Sequence, residues 1–256
     1  REASLLGRKE VLTGKAKFGI FGDGKEIAQI AMAKAFKKGD FRSGYYRDQT
    51  FMMAIGELSL EAFFFQLYSE TNINKEPASG GRQMNNHFAT RSLDENGDWK
   101  DLTNQYNSSS DISPTGSQMP RLLGLAHASK TYRNIPKIDA DKFSCNGNEI
   151  SFGTIGNAST SEGIFFETVN AAGVLQVPVL ISIWDDRWGI SVPSKYQTTK
   201  EDISQLLKGF QKTKKIDGIE IFTVNGWNYK ELCETYLKAE EICRNHHTPV
   251  IIHVKE

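Results

Sequence analysis

Apolar positions along this chain fall into two kinds of run, and their order predicts strands alternating with helices. NEISFGTI (Asn148 to Ile155) is rich in β-branched and aromatic residues and breaks into the small-residue turn GNAST, a strand running into a tight turn. Ser159 and Glu162 form the S-x-x-E pattern of a capping box, so a helix is expected to begin near Thr160. Ile164, Phe165, Thr168, Val169 and Ala172 give it an apolar face at helical spacing, and Gly173 is its expected end. VPVLISIW (Val177 to Trp184) is too continuously apolar for a strand with one wet face and reads as a central parallel strand covered on both sides. Parallel neighbours need a crossover, by default a right-handed βαβ unit. Both strands then end on one edge of the sheet, where open α/β folds place their ligands.

The flanking pattern is weaker but similar. Gly22 to Lys25, inside IFGDGKE, precede a helix with Ile27, Ile30 and Ala31 on one face. FRSGYYRDQTFMMAIGE (Phe41 to Glu57) puts two tyrosines and an arginine on a turn before an apolar helix. The polar span Asp94 to Ser110 reads as an exposed insertion, and Ser113 to Lys130 as a Pro- and Ser-rich loop entering a helix. A helix is expected around Ile203 to Phe210, then a strand within Ile216 to Gly226. Leu232, Tyr236, Ala239 and Cys243 share a helix face, and Thr248 to Val254 is a last buried strand.

Composition narrows the function classes. A chain of 256 residues and 28.7 kDa can bury a sizeable core. Basic and acidic residues balance at 31 each with no basic block, which argues against nucleic acid as a partner. No apolar run approaches a membrane span. Three widely spaced cysteines (Cys145, Cys233, Cys243) support neither a disulfide framework nor a zinc site, so a reducing, cytoplasmic setting is expected. The chain begins at Arg1 without a signal-like segment, and both ends read as trimmed from a longer polypeptide.

The candidate chemistry sits at the two strand ends. Asn157 and Asp186 are one crossover apart, which brings an amide oxygen and a carboxylate to one rim beside a helix start. Oxygen ligands suit a hard cation, and backbone donors at a helix N-terminus suit phosphates, so the pair describes a magnesium–diphosphate site. An ordinary strand–turn–helix with polar rim residues is the alternative.

GNASTSEG, a crossover helix and WDDRWGISVP together resemble the thiamine diphosphate motif of 2-oxoacid dehydrogenases, in the alpha subunit of their decarboxylating component. That family usually writes GDGATSEG, then ENN, a variable residue, an aromatic and AISVP. The family's metal-binding Asp is Asn157 here and its metal-binding Asn is Asp186, so carboxylate and amide have exchanged places; Trp188 would add its carbonyl. Ala158 replaces a Gly, whose lost freedom is expected to crowd the diphosphate or restrict the turn. The resemblance makes Tyr46 and Arg47 the diphosphate-holding pair, with Gly156, Asn157, Ala158, Ser159, Asp186 and Trp188 also at the cofactor. It places Thr115 at the aminopyrimidine, with Ser113 close by. His87, in GGRQMNNHFATRSL, becomes a catalytic candidate, as donor to the oxoacid carboxylate or proton carrier. Pro114, Ser117 and Gln118 match a monovalent-cation (potassium) loop of branched-chain members, while Gln49 stands where many members have His. The GDG of residues 22–24 matches the family's GQEA helix start rather than its cofactor motif.

The fold the resemblance implies is a doubly wound, mostly parallel α/β sheet with helices on both faces, in one domain over 1–256. The implied activity is attack of the thiazolium carbanion on a 2-oxoacid, decarboxylation, and acyl transfer to a lipoyl group. A beta subunit or beta half is the implied partner, together with a lipoyl-bearing acyltransferase; a branched-chain oxoacid is favoured over pyruvate. The family's diphosphate-contacting His after the last strand has no counterpart before Glu256. Two rivals stand beside this: a non-catalytic assembly homologue, and a Rossmann-type dinucleotide binder, which the absence of G-x-G-x-x-G after a strand argues against.

Overall fold

The computed structural model describes residues 1–135 and 137–255. In chain order its elements are α1 (Glu2–Leu12), α2 (Glu26–Ala35), β1 (Phe41–Ser43), α3 (Gln49–Ala54), α4 (Leu60–Leu67), β2 (Asn107–Ser108), α5 (Gln118–Asn134), β3 (Ser151–Gly156), α6 (Gly163–Leu175), β4 (Val179–Asp185), β5 (Trp188–Gly189), β6 (Val192–Pro193), α7 (Ile203–Leu206), β7 (Glu220–Asn225), α8 (Tyr229–His246) and β8 (Val250–Lys255), with short 3-10 turns between. Six strands form one sheet in the order β2-β1-β3-β4-β8-β7, every neighbouring pair parallel. β5 and β6 form a separate antiparallel ribbon.

β4 shows why the sheet must be covered twice. Leu180 and Trp184 point into a core shared with α2, α3 and α8, while Val179, Ile181 and Ile183 point into one shared with α5, α6 and α7. The period of two along a strand sends alternate side chains to opposite faces, so an unbroken apolar run needs helices on both. The doubly wound parallel α/β architecture is thus the observed one. Among the described residues no helix is long and apolar enough to cross a membrane.

Several local expectations are corrected. The capping box does not form: residues 158–161 make a 3-10 turn, and α6 starts at Gly163 with Glu162 as its N-cap and no side-chain cap. Gly173 does not end α6, which runs to Leu175 and stops where Gln176 adopts left-handed φ of 48°. On α2 the buried residues include Ala28, Ala31, Met32 and Ala35, whereas Ile30 is exposed. The span Asp94 to Ser110 is continuously exposed only as far as Asp101. Leu102 is buried, and Asn107 and Ser108 form edge strand β2, two polar residues that carry no apolar signature.

Candidate functional site

Strands β1, β3 and β4 are parallel and adjacent, so their C-terminal ends converge on one edge. There a cavity of about 430 Å³ is lined by Tyr46, Arg47, Thr115, Gly156, Asn157, Ala158, Ser159, Asp186 and Trp188. Nine of the ten cofactor-contact candidates therefore meet in one place; Ser113 and His87 do not line it. A larger open depression of about 1180 Å³, between the Ile73 turn and the Ala89 to Lys100 loop, contains none of these residues.

Arg47 is held by the glycine turn of residues 22–24. The Gln29 amide donates to the Arg47 carbonyl at 2.8 Å, and a Cβ on Gly22 would sit 2.3 Å from that carbonyl oxygen. Gly22 is therefore required for close approach. Gln49, buried, accepts from the Gly22 N–H at 3.1 Å and from Asn86 at 2.8 Å, tying the turn to α3 and to the Asn86 segment. The GDG string thus acts as a brace, in keeping with its helix-start reading. The Arg47 guanidinium lies over the Tyr46 ring, 5.3 Å from its centroid.

Ala158 is not strained, because its φ is not among the positive ones, and its methyl fills a specific gap. A Cβ added to Gly189 would lie 2.6 Å from the Ala158 methyl and closer still to the Gln197 amide. The family pattern has Gly at the first position and Ala at the second; here the methyl has changed sides. The expected restriction of the turn is corrected accordingly.

The charge at the rim has an unexpected partner. Lys25, the buried N-cap of α2, donates from Nζ to Asp186 Oδ2 at 3.0 Å, and the Trp188 N–H donates to Asp186 Oδ1 at 3.0 Å. Both Asp186 oxygens are engaged. Around the same cavity three buried donors have no partner among the described residues: Tyr45 Oη, Asn157 Nδ2 and Trp184 Nε1. Burial pushes the Tyr45 hydroxyl well above its ordinary range, so it stays protonated as a donor. Unpaired buried donors are costly. Anionic oxygens of a diphosphate would satisfy them, and the residues present fit that group. They do not fit a resident divalent ion as they stand: Asp186 is occupied, and no cluster of three or more His, Cys, Asp or Glu among the described residues could hold a metal.

His87 is buried and reaches the site indirectly. Its Nδ1 faces the Asn85 carbonyl at 3.2 Å, which assigns the proton there, and its Nε2 lies 2.9 Å from Ser113 Oγ. Gln118, first residue of α5, donates to the Thr154 carbonyl at 3.0 Å, and Ser117 N–H to the Pro114 carbonyl at 3.2 Å, so the proposed cation loop is pinned to the sheet.

Lys25, Tyr45, Glu162, Trp184 and Gln197 also line the cavity, and sequence reasoning placed none of them at the site. Trp184 could have been found, since it replaces the Glu of the family's ENN with an indole. Lys25 had a fainter signal: lysine is a poor N-cap and opposes the helix dipole.

Residues 6–256 match the family model described as dehydrogenase E1 component. The chain is 29% identical over 241 residues to the 2-oxoisovalerate dehydrogenase subunit alpha of Bacillus subtilis (strain 168), covering 94% of this chain and 62% of that one. It is 25% identical over 212 residues to the mitochondrial 2-oxoisovalerate dehydrogenase subunit alpha of Mus musculus, covering 82% and 41%. Against the pyruvate dehydrogenase E1 component subunit alpha of Acholeplasma laidlawii it is 28% identical over 182 residues, covering 71% and 41%. The chain therefore spans less than two thirds of the length of these relatives.

Proposed function

The chain belongs to the dehydrogenase E1 component family, and from that premise we propose that it is the diphosphate-gripping alpha part of a thiamine diphosphate-dependent 2-oxoacid dehydrogenase. A branched-chain oxoacid is the favoured substrate, in line with the names of the Bacillus and Mus relatives, and pyruvate is the runner-up. The observation that carries the reading is the donor-lined cavity at the ends of β1, β3 and β4, with three buried donors awaiting acceptors.

When bound, the cofactor supplies the carbon nucleophile and the electron sink for decarboxylation. The chain's own residues bind and orient it. Arg47 meets phosphate oxygens with a planar fork that stays charged, and Tyr46 backs the fork. Asn157 and Trp184 donate from the strand ends, while Thr115 closes the cavity from the α5 loop. His87 engages substrate, as carboxylate donor or proton carrier, only after Ser113 turns away from its Nε2. The β5–β6 ribbon, with Trp188 and Ile190 exposed at the cavity, suits coverage by a beta partner that completes the site. A lipoyl-bearing acyltransferase would then take the acyl group.

Two measurements on full-length protein test this. Thermal shifts with thiamine diphosphate and with nicotinamide nucleotides separate it from a dinucleotide binder, and a shift with the nucleotides alone overturns it. Acyl transfer with partner present and both oxoacids offered separates an enzyme from an assembly homologue. Cofactor binding without turnover of either oxoacid assigns the chain to the latter.

A further inference from the structure

We propose that the Lys25 ammonium, held by Asp186, replaces the divalent cation in this cavity, so that diphosphate binding is independent of added metal. The inference rests on the diphosphate reading above.

Three observations converge. Lys25 is 6% exposed and lines the cavity, with its Nζ 3.0 Å from Asp186 Oδ2. A buried cation at the positive end of a ten-residue helix is doubly disfavoured, by desolvation and by the helix dipole, and a nearby anion is what offsets both. The ion pair with Asp186 provides one such anion, and a diphosphate would add another.

The exchange of carboxylate and amide then has a reason. A carboxylate at position 186 meets Lys25, which reaches the rim from 161 residues earlier in the chain. Position 157 is left with an amide, 5% exposed, whose Nδ2 has no partner among the described residues. An unpartnered N–H donor in the same cavity as a cation suits a phosphate oxygen, whereas a metal would need an acceptor. Trp184 Nε1, fully buried and likewise unpartnered, repeats the pattern where the family motif carries a glutamate. At positions 157 and 184 the site has lost acceptors and gained donors relative to the family motif. Asp186 is accordingly a positioning residue for Lys25.

The test is calorimetric titration of full-length protein with thiamine diphosphate, in EDTA and in excess Mg²⁺, for wild type, Lys25→Gln and Asp186→Asn. Wild type should bind with affinities within about threefold in the two buffers, whereas Lys25→Gln in EDTA should lose about tenfold or more, the scale of one charge-assisted hydrogen bond. Mg²⁺ should restore Lys25→Gln, because its loss frees Asp186 for the ion; that restoration also shows the variant is folded. Asp186→Asn should still bind in EDTA. If wild type binds only with Mg²⁺, or if Lys25→Gln binds like wild type in EDTA, the proposal is overturned and the diphosphate reading stands. No binding in either buffer by any of the three proteins overturns both.

Discussion

Two groups of charged and polar residues meet within a few residues of one another along β1 and the turn that follows it, and they are built to opposite rules. Arg42 is fully buried, yet its guanidinium donates to Asp48 at 2.7 and 3.0 Å, to both oxygens of Asp111 at 3.1 Å, to Ser108 at 2.8 Å and to the Tyr45 carbonyl at 3.2 Å. Burial alone would lower its pKa, and Asp111 with Asp48 raise it above the ordinary value instead. Thr154 and the Phe88 N–H add donors to the two carboxylates. The cavity beside Tyr46 and Arg47 has the same residue types but leaves three buried donors unmatched. The Arg42 set matches its guanidinium donors with acceptors and leaves one carboxylate oxygen, Asp48 Oδ1, unpartnered, whereas the cavity leaves its donors without acceptors. Residue type alone does not distinguish them; the state of their hydrogen bonds does.

The largest effect should come from opening the Arg42 set. Arg42→Met strands Asp48 and Asp111 without their cation and should destabilise by about 3–5 kcal/mol, read from denaturant unfolding. A loss below about 1 kcal/mol would erase the distinction between the two groups, since that is the range of an exposed ion pair. Arg47→Lys should do the converse. Cofactor affinity should fall about tenfold as the bidentate geometry is lost, while unfolding of the unliganded protein shifts by less than about 0.5 kcal/mol.

A third substitution tests how tightly the open site is shaped. Gly189→Ala places a methyl against that of Ala158 and should cost about 1–3 kcal/mol, as overpacking does. Adding Ala158→Gly should recover most of it, a non-additivity expected of residues in contact. Simple addition of the two single effects would mean the methyl exchange is coincidental.

The smallest expected effect concerns acid. Burial pushes Asp185 up, but His253 at 2.8 Å and the Arg187 N–H hold it below the usual carboxylate range. Asp202 is treated the same way by Lys255, Ser204 and the Gln205 N–H. A carboxylate depressed in the folded state contributes stability above its unfolded pKa and loses it as pH falls through the folded one. The melting temperature should therefore fall below about pH 4. Asp202→Asn should remove about 1 kcal/mol or less of that dependence, since Asp202 is partly solvated. A fall unaltered by Asp202→Asn would move the acid-labile stability elsewhere, to Asp185 and its His253 partner.

What the sequence disclosed follows the strength of each local pattern. The β3–α6–β4 unit was legible because continuous apolar runs and helical spacing are imposed by burial on two faces. Edge strand β2 was not, because Asn107 and Ser108 are buried through hydrogen bonds rather than apolar area. The capping box misled because Ser159 is taken up in a 3-10 turn that precedes the helix. Most of the cavity lining followed from the family resemblance, and only Asn157 and Asp186 from the spacing of two strand ends. Lys25 and Gln197 arrive there from distant segments, and the Ala158–Gly189 contact joins two positions that no periodicity links.

The turn between β5 and β6 carries a last consequence. Ile190 is fully exposed and adopts a left-handed φ of 58°, a geometry that disfavours a branched side chain by about 1–2 kcal/mol. Glycine or asparagine would fold more readily there. The isolated chain thus tolerates a small self-inflicted instability for a side chain fully open to solvent, as a latch sprung before its door arrives would do. Ile190→Gly should melt at a higher temperature and, if the beta partner is what the side chain meets, assemble less well.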